Sequence, residues 1–307
     1  MNMKKIEGNN LNSISKRWNV VFTILLLLIA LMTIIPLALM IIVSFSSSAS
    51  ISSVGYTFFP EEWSLEGYKY LFKMVDQLLA SYGVTIAYSV VGTALGLLVM
   101  LMYAYVTALR DFPLRKQLTW FLFFTMLFSG GLVPSYILNV RYYGLRDTFW
   151  ILVLPGLVSA NMVIILRTFI RTSIPESLLE AAKIDGAGHF VTFFKIVLPL
   201  SKAGVATVGL FTFVAKWNDW FTGMLYIENP NLVPLQTLLT KLQNSVDFLK
   251  NNSQMAGTAD GMAMLRSLPG TNLRMACTVV AIAPLLIAYP FFQRYFVKGM
   301  TIGSIKE

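Results

Sequence analysis

Residues 20–43 contain no charged side chain. At about 1.5 Å of helix per residue, a run of that length crosses a hydrocarbon core about 30 Å thick. Five further runs follow: residues 77–109, 118–140, 148–166, about 203–220 with Lys216 and Asp219 only at its far end, and 275–292. The h-region of a cleaved signal peptide is about 7 to 15 residues long, so the first run is read as a retained span. A chain with six such runs is expected to be an all-α membrane protein of six transmembrane helices. Its residues 20–292 form one bilayer-embedded domain, with tails at 1–19 and 293–307.

Composition agrees with that expectation. The chain is 56% hydrophobic and only 13% charged, with positive mean hydropathy, which fits a membrane protein better than two soluble domains. The single cysteine, Cys277, rules out a disulfide framework. A net charge of +9 can indicate nucleic acid, but here the basic residues stand singly between apolar runs and form no continuous basic face. Nucleic acid is therefore not expected as a partner. With the termini inside, 15 of the 24 basic residues fall on the inner segments and 9 on the outer, whereas the 15 acids divide as 6 and 9. That bias predicts cytoplasmic termini.

Several spans are interrupted. Gly130-Gly131 and Pro134 predict a bent third span, Pro155-Gly156 a broken fourth, and Lys216 a bent fifth. Pro36 is a candidate kink in the first, and Gly83, Gly92 and Gly96 allow close helix approach in the second. After Phe58-Phe59-Pro60, the residues Glu61, Glu62, Trp63, Glu66 and Lys69 predict an external loop with a short interfacial helix. Residues 221–272 form the largest external loop, with an amphipathic helix around 235–249.

The long polar stretch at 173–204 lies between the fourth and fifth spans. Ser173 is a candidate cap with Glu176 as its reciprocal partner, and Pro175 is tolerated that early in a helix. Gly186 closes the first helix, at a backbone angle expected to exclude larger residues. Phe190, Phe193, Phe194 and Val197 then recur at one-face spacing until Pro199 ends the second. The stretch is thus predicted to be a cytoplasmic helical hairpin.

Glu180-Ala181-Ala182, Asp185-Gly186-Ala187 and Ile196-Val197-Leu198-Pro199 resemble the EAA loop of permease subunits of bacterial ABC importers. The match is closest to the second permease of carbohydrate importers, the maltose-permease-like group, in its oligosaccharide branch. The resemblance covers the chain from about residue 20 to its end. It implies the type I ABC importer permease fold in a bacterial cell membrane. It also implies that Glu180, Ala181, Ala182, Asp185, Gly186 and Pro199 couple the chain to an ATPase. Glu180 is the candidate for pairing with a basic residue there, the two alanines allow close docking, and Asp185 is a candidate cap of the second helix. The implied partners are a second, non-identical permease, two copies of the ATPase, an extracellular solute-binding protein and an oligosaccharide.

The chain has no G-x-x-x-x-G-K-[ST] phosphate loop, no H-E-x-x-H, no C-x-x-C and no G-x-S-x-G, and it has one histidine, His189. It is expected to be non-catalytic and to bind no cofactor, with ATP and Mg held by the partner ATPase. Trp217, Asn218, Asp219 and Trp220 combine aromatic faces with amide and carboxylate groups of the kind that hold sugars. They are a candidate substrate path, although tryptophans also collect at membrane interfaces. Tyr142 and Tyr143 share that ambiguity. Two other readings are an ion-gradient-driven secondary transporter, disfavoured by the scarcity of ionisable groups in the spans, and a non-transporting membrane scaffold.

Overall fold

The computed structural model describes residues 16–251 and 271–303. Most of the predicted 1–19 tail, residues 252–270 of the predicted external loop and residues 304–307 of the predicted C-terminal tail lie outside the described residues. Every regular element among the described residues is a helix; the only β pairing there is an isolated bridge between Ser46 and Trp63. The chain divides into two compact units.

The first unit is the described part of Met1–Lys69 with Pro269–Val279. Its helix α1, Lys16–Ser44, exposes nearly all of its apolar side chains along its length. An uncharged helix satisfies its own backbone, so lipid or another apolar helix can cover such a surface. Pro36 is accommodated within it. A short helix, α2, Ser48–Val54, is capped by the Ser47 hydroxyl, which accepts from the Ser50 amide at 3.0 Å. The predicted interfacial helix is α3, Glu66–Lys73, and Tyr68 at its start bonds the Ser44 hydroxyl at 2.8 Å. Asn272 lies in the same unit and accepts from Ser48 at 3.1 Å.

The second unit, Tyr70–Leu268 with Val280–Glu307, is organised by α4, Val75–Ala108, the predicted second span. Directly against it pack α5 (Arg115–Leu127), α7 (Phe149–Val153), α8 (Ala160–Ser173) and α12 (Lys202–Trp217), and the chain between them forms α6 (Leu132–Ile137), α9 (Glu176–Ile184), α10 (His189–Thr192) and α11 (Leu198–Leu200). Later in the chain come α13 (Phe221–Tyr226), the predicted amphipathic helix α14 (Leu235–Asn251), which also packs on α4, and the second unit's share of α15 (Thr271–Gly303). One core joins Met100, Leu101 and Ala104 of α4 to Val163, Leu166 and Ile170 of α8 and Val208 of α12. A second gathers Tyr88, Ile151, Leu152, Val153 and Tyr226.

The helices Arg17–Ser44 and Val75–Ala108 are each long and apolar enough to cross a membrane, and two bent pairs also qualify if each is counted as one span. The predicted bend in the third span lies between α5 and α6, at 113°, and the fourth is broken between α7 and α8 at Pro155-Gly156. The fifth differs from expectation. Its bend, 79°, precedes α12 at Ser201, while α12 runs unbroken through Lys216. Proline explains the position of the bend: Pro199 lacks an amide hydrogen, its ring crowds the carbonyl four residues back, and the turn before it widens to a π-helix over Phe193–Val197. At the other end, α15 continues past residue 292 to Gly303, so residues 293–303 of the expected tail are helical.

Candidate functional site

The polar stretch at 173–204 folds as the predicted hairpin, with its first helix starting later than expected. Ser173 is the last residue of α8 and caps nothing; Ile174 is buried at the corner, and Pro175 precedes α9, which begins at Glu176. Glu176 reaches across to Arg110 at 3.2 Å instead of back to Ser173. Farther along the helix, Lys183 approaches Asp111 at 3.9 Å. Both pairs tie α9 to the turn that follows α4, a link the sequence did not reveal because isolated charges at span ends carry no pairing information.

The turn of the hairpin is closed by the backbone. The Gly186 amide donates to the Lys183 carbonyl at 3.1 Å and the Ala187 amide to the Ala182 carbonyl at 2.9 Å, the two bonds of a Schellman motif. That motif needs a left-handed residue, and Gly186 has φ +77°. The predicted backbone constraint at Gly186 is therefore present. Asp185 is the C-terminal cap of α9, not the N-terminal cap of the second helix; Gly188 holds that position, without a side-chain bond.

The second arm is rooted in the core. Phe193 and Val197, four residues apart, are buried with Ile170 and Ile174, whereas Phe190 and Phe194 face outward. The predicted single apolar face is thus split into an inner and an outer pair. His189 approaches the hydroxyl of the buried Tyr105 through Nδ1 at 3.4 Å. Pro199 is exposed within α11, just before the bend. Ala182 packs inward while Ala181 is exposed. Glu180 borders a cavity of about 410 Å³ shared with Arg110, Asp111, Arg171, His189 and Tyr105. At the tip, Ile184 is 86% exposed and Phe190 67%.

The candidate substrate residues separate. Trp217 is buried, and its indole donates to the Ala281 carbonyl at 3.1 Å, which commits it to packing. The Asp219 carboxylate accepts from the Thr222 amide in the first turn of α13 at 3.0 Å. Asn218 accepts from Gln236 at 3.4 Å, and Trp220 stands edge-on to Phe221. Asn218 and Trp220 are exposed, and Asp219 partly so. Lys216, read in sequence as marking a bend, is buried: its Nζ donates to the Val153 carbonyl at 3.1 Å, and Tyr88 donates its hydroxyl to the Lys216 carbonyl. Tyr142 and Tyr143 are exposed.

Residues 110–302, which hold the hairpin and the spans around it, match the family described as binding-protein-dependent transport system inner membrane components. The chain belongs to this family. The permease is 37% identical over 281 residues to the polygalacturonan/rhamnogalacturonan transport system permease protein YtcP of Bacillus subtilis, covering 92% of this chain and 95% of that one. It is 38% identical over 275 residues to protein LplC of the same organism, covering 89% and 90%. It is also 27% identical to the arabinooligosaccharides transport system permease protein AraQ of Halalkalibacterium halodurans, over 91% of this chain and 93% of that one. Among solved structures it resembles a chain of a bacterial ABC transporter involved in import of the acidic polysaccharide alginate. The TM-score is 0.74 with 30% identity, over 92% of this permease and 98% of that chain. These likenesses make the permease a membrane component of a binding-protein-dependent ABC importer.

Proposed function

We propose that this permease imports an oligosaccharide as one half of a pair of non-identical permease subunits, with the hairpin at residues 173–204 as its coupling element. It has six spans and cytoplasmic termini in a bacterial cell membrane. The domain comprises residues 20–292, residues 221–272 form the outer loop that meets an extracellular solute-binding protein, and residues 1–19 and 293–307 lie inside. Two copies of a separate ATPase bind ATP and Mg; this chain binds no cofactor. The relatives named for polygalacturonan/rhamnogalacturonan and arabinooligosaccharide transport support the substrate class.

The observation that carries the coupling role is the combination of a stiff base and an apolar tip. Phe193 and Val197 share the core of α4 and α8, while Ile184 at the turn is almost fully exposed. A rigid element transmits displacement of its tip to whatever its base is packed against. Exposed apolar residues on a tip of that kind fit a cleft in a partner protein. Ala181 allows close approach, Glu180 supplies a charge beside it, Asp185 and Gly186 shape the turn, and Pro199 precedes the bend into α12. Asn218, Asp219 and Trp220 remain the candidate substrate contacts of the group; Trp217 acts behind them as packing.

The test is oligosaccharide-stimulated ATP hydrolysis in lipid nanodiscs holding the permease, its partner permease, the ATPase and the binding protein. Acidic and neutral oligosaccharides are compared. Stimulation should appear with one class and disappear in Glu180→Lys and Gly186→Val, with every subunit still inserted. Unchanged turnover and unchanged ATPase copurification in both variants would sink the coupling assignment.

A further inference from the structure

Three arginines gather where α5 begins and α8 ends. Arg115 is the first residue of α5; Arg167 and Arg171 are one turn apart in the last turns of α8, and the two helices pack side by side. The nearby acids Glu176 and Asp111 are engaged by Arg110 and Lys183. Arg171 also borders the hairpin cavity with Glu176 and Glu180 but forms no ion pair with either. Among the described residues none of the three arginines has an ion-pair partner.

Arg167 is the most constrained of them. Its Nε is buried with no acceptor in reach. Burial, and then the charges of Arg115 and Arg171, push its guanidinium below its ordinary value, as expected where like charges are held together. A buried donor and clustered cations both call for an anion with several oxygens, and planar guanidinium groups match a phosphate in that respect.

The surroundings favour a lipid over a soluble phosphate. From Arg115, α5 rises directly into an exposed apolar face of Trp120, Phe121, Phe124 and Leu127, with the Trp120 and Phe124 rings stacked at 6.0 Å. The face begins about 7 Å along the helix axis from the arginine. A charged head and an apolar chain are thus accommodated in series, as at the basic helix ends where membrane proteins hold anionic headgroups.

We propose that Arg115, Arg167 and Arg171 form a headgroup site for an anionic phospholipid. The three guanidiniums share its phosphodiester, and its acyl chains lie along α5. The site is independent of the transport reading.

The experiment is native mass spectrometry of the full chain, purified with the subunits that accompany it. The sample is exchanged into micelles containing equal phosphatidylglycerol and phosphatidylcholine. Wild type should retain phosphatidylglycerol preferentially. Arg167→Gln and the more exposed Arg171→Gln should each cut that retention about fivefold, while the neighbouring Lys116→Gln leaves it unchanged. Melting temperature is read alongside, so that a variant that does not fold is set aside and Arg171→Gln decides. Equal retention of the two lipids would overturn the site. An equal loss in Lys116→Gln, displacement by millimolar inorganic phosphate, or loss of an accompanying subunit with lipid retention intact would do so too.

Discussion

Lys216 donates its side-chain nitrogen to the Val153 carbonyl at 3.1 Å, in the buried interior of the second unit. Val153 ends α7, so the lysine supplies a donor to a helix end whose carbonyls have no partner within the helix. It thereby fastens that helix to the end of α12. The neighbour that makes room is Gly92 of α4, where an added Cβ would lie within 2.7 Å of the Lys216 Cδ.

Lys216→Met keeps the stem and removes the donor. It should destabilise the permease by about 1–3 kcal/mol, because the Val153 carbonyl is left without its bond; thermal unfolding of the purified protein measures this. Gly92→Ala acts on the same side chain, so the double variant should be less destabilised than the sum of the singles. Strict additivity would mean that the two residues do not communicate.

Two glycines of α4 should respond oppositely to alanine. At Gly96 a Cβ would meet the backbone carbonyl oxygen of Leu157 at 2.6 Å, and a backbone atom cannot swing aside. At Gly83 it would meet nothing within 4 Å. Gly96→Ala should therefore lower the melting temperature, whereas Gly83→Ala should leave it unchanged or add up to about 1 kcal/mol through helix propensity. Equal effects would show that α4 does not approach Leu157 as described.

At the hairpin turn, Gly186→Val should cost about 1–3 kcal/mol locally, because a β-branched residue is forced to a positive φ. Gly186→Asn should cost less, since asparagine tolerates that conformation. Proteolysis at residues 184–188 in nanodiscs is the readout, with cleavage rates ordered Val, Asn, Gly from fastest to slowest.

Ile184→Ser removes exposed apolar surface and no packing contact. Stability of the permease should stay within about 0.5 kcal/mol of wild type, while retention of the ATPase during purification falls. A drop in stability with unchanged retention would mean that Ile184 is covered by the permease itself.

Arg110→Ala breaks an exposed ion pair, with side chains 67% and 48% accessible. Its effect on unfolding should be no more than about 1 kcal/mol and should shrink in high salt. A larger loss would mean that the pair orients α9 as well as decorating it.

Helix type, the course of the apolar runs and the hairpin's place between two of them were legible in the sequence because they follow from local chemistry. An uncharged run must form a self-satisfied helix in an apolar medium. Pro155 fixes its own backbone angle, and Gly131, Gly156 and Gly186 adopt the positive φ that other residues resist, whatever surrounds them. Pairing was not legible. Ser173 and Glu176 have the spacing of a capping box, yet Ser173 is the last helical residue of α8 and so does not take the extended backbone of an N-cap, which leaves Glu176 to reach Arg110 instead. Likewise Trp217 and Lys216 look the same in sequence as interfacial residues, and only the approach of α12 to Gly92, Val153 and Ala281 buries them. The sequence by itself determined that helices form and that Gly130-Gly131, Pro155-Gly156 and Gly186 interrupt them, since those are properties of each segment. Tertiary structure alone decided which charged and aromatic groups became partners, since that depends on distances between segments far apart in the chain.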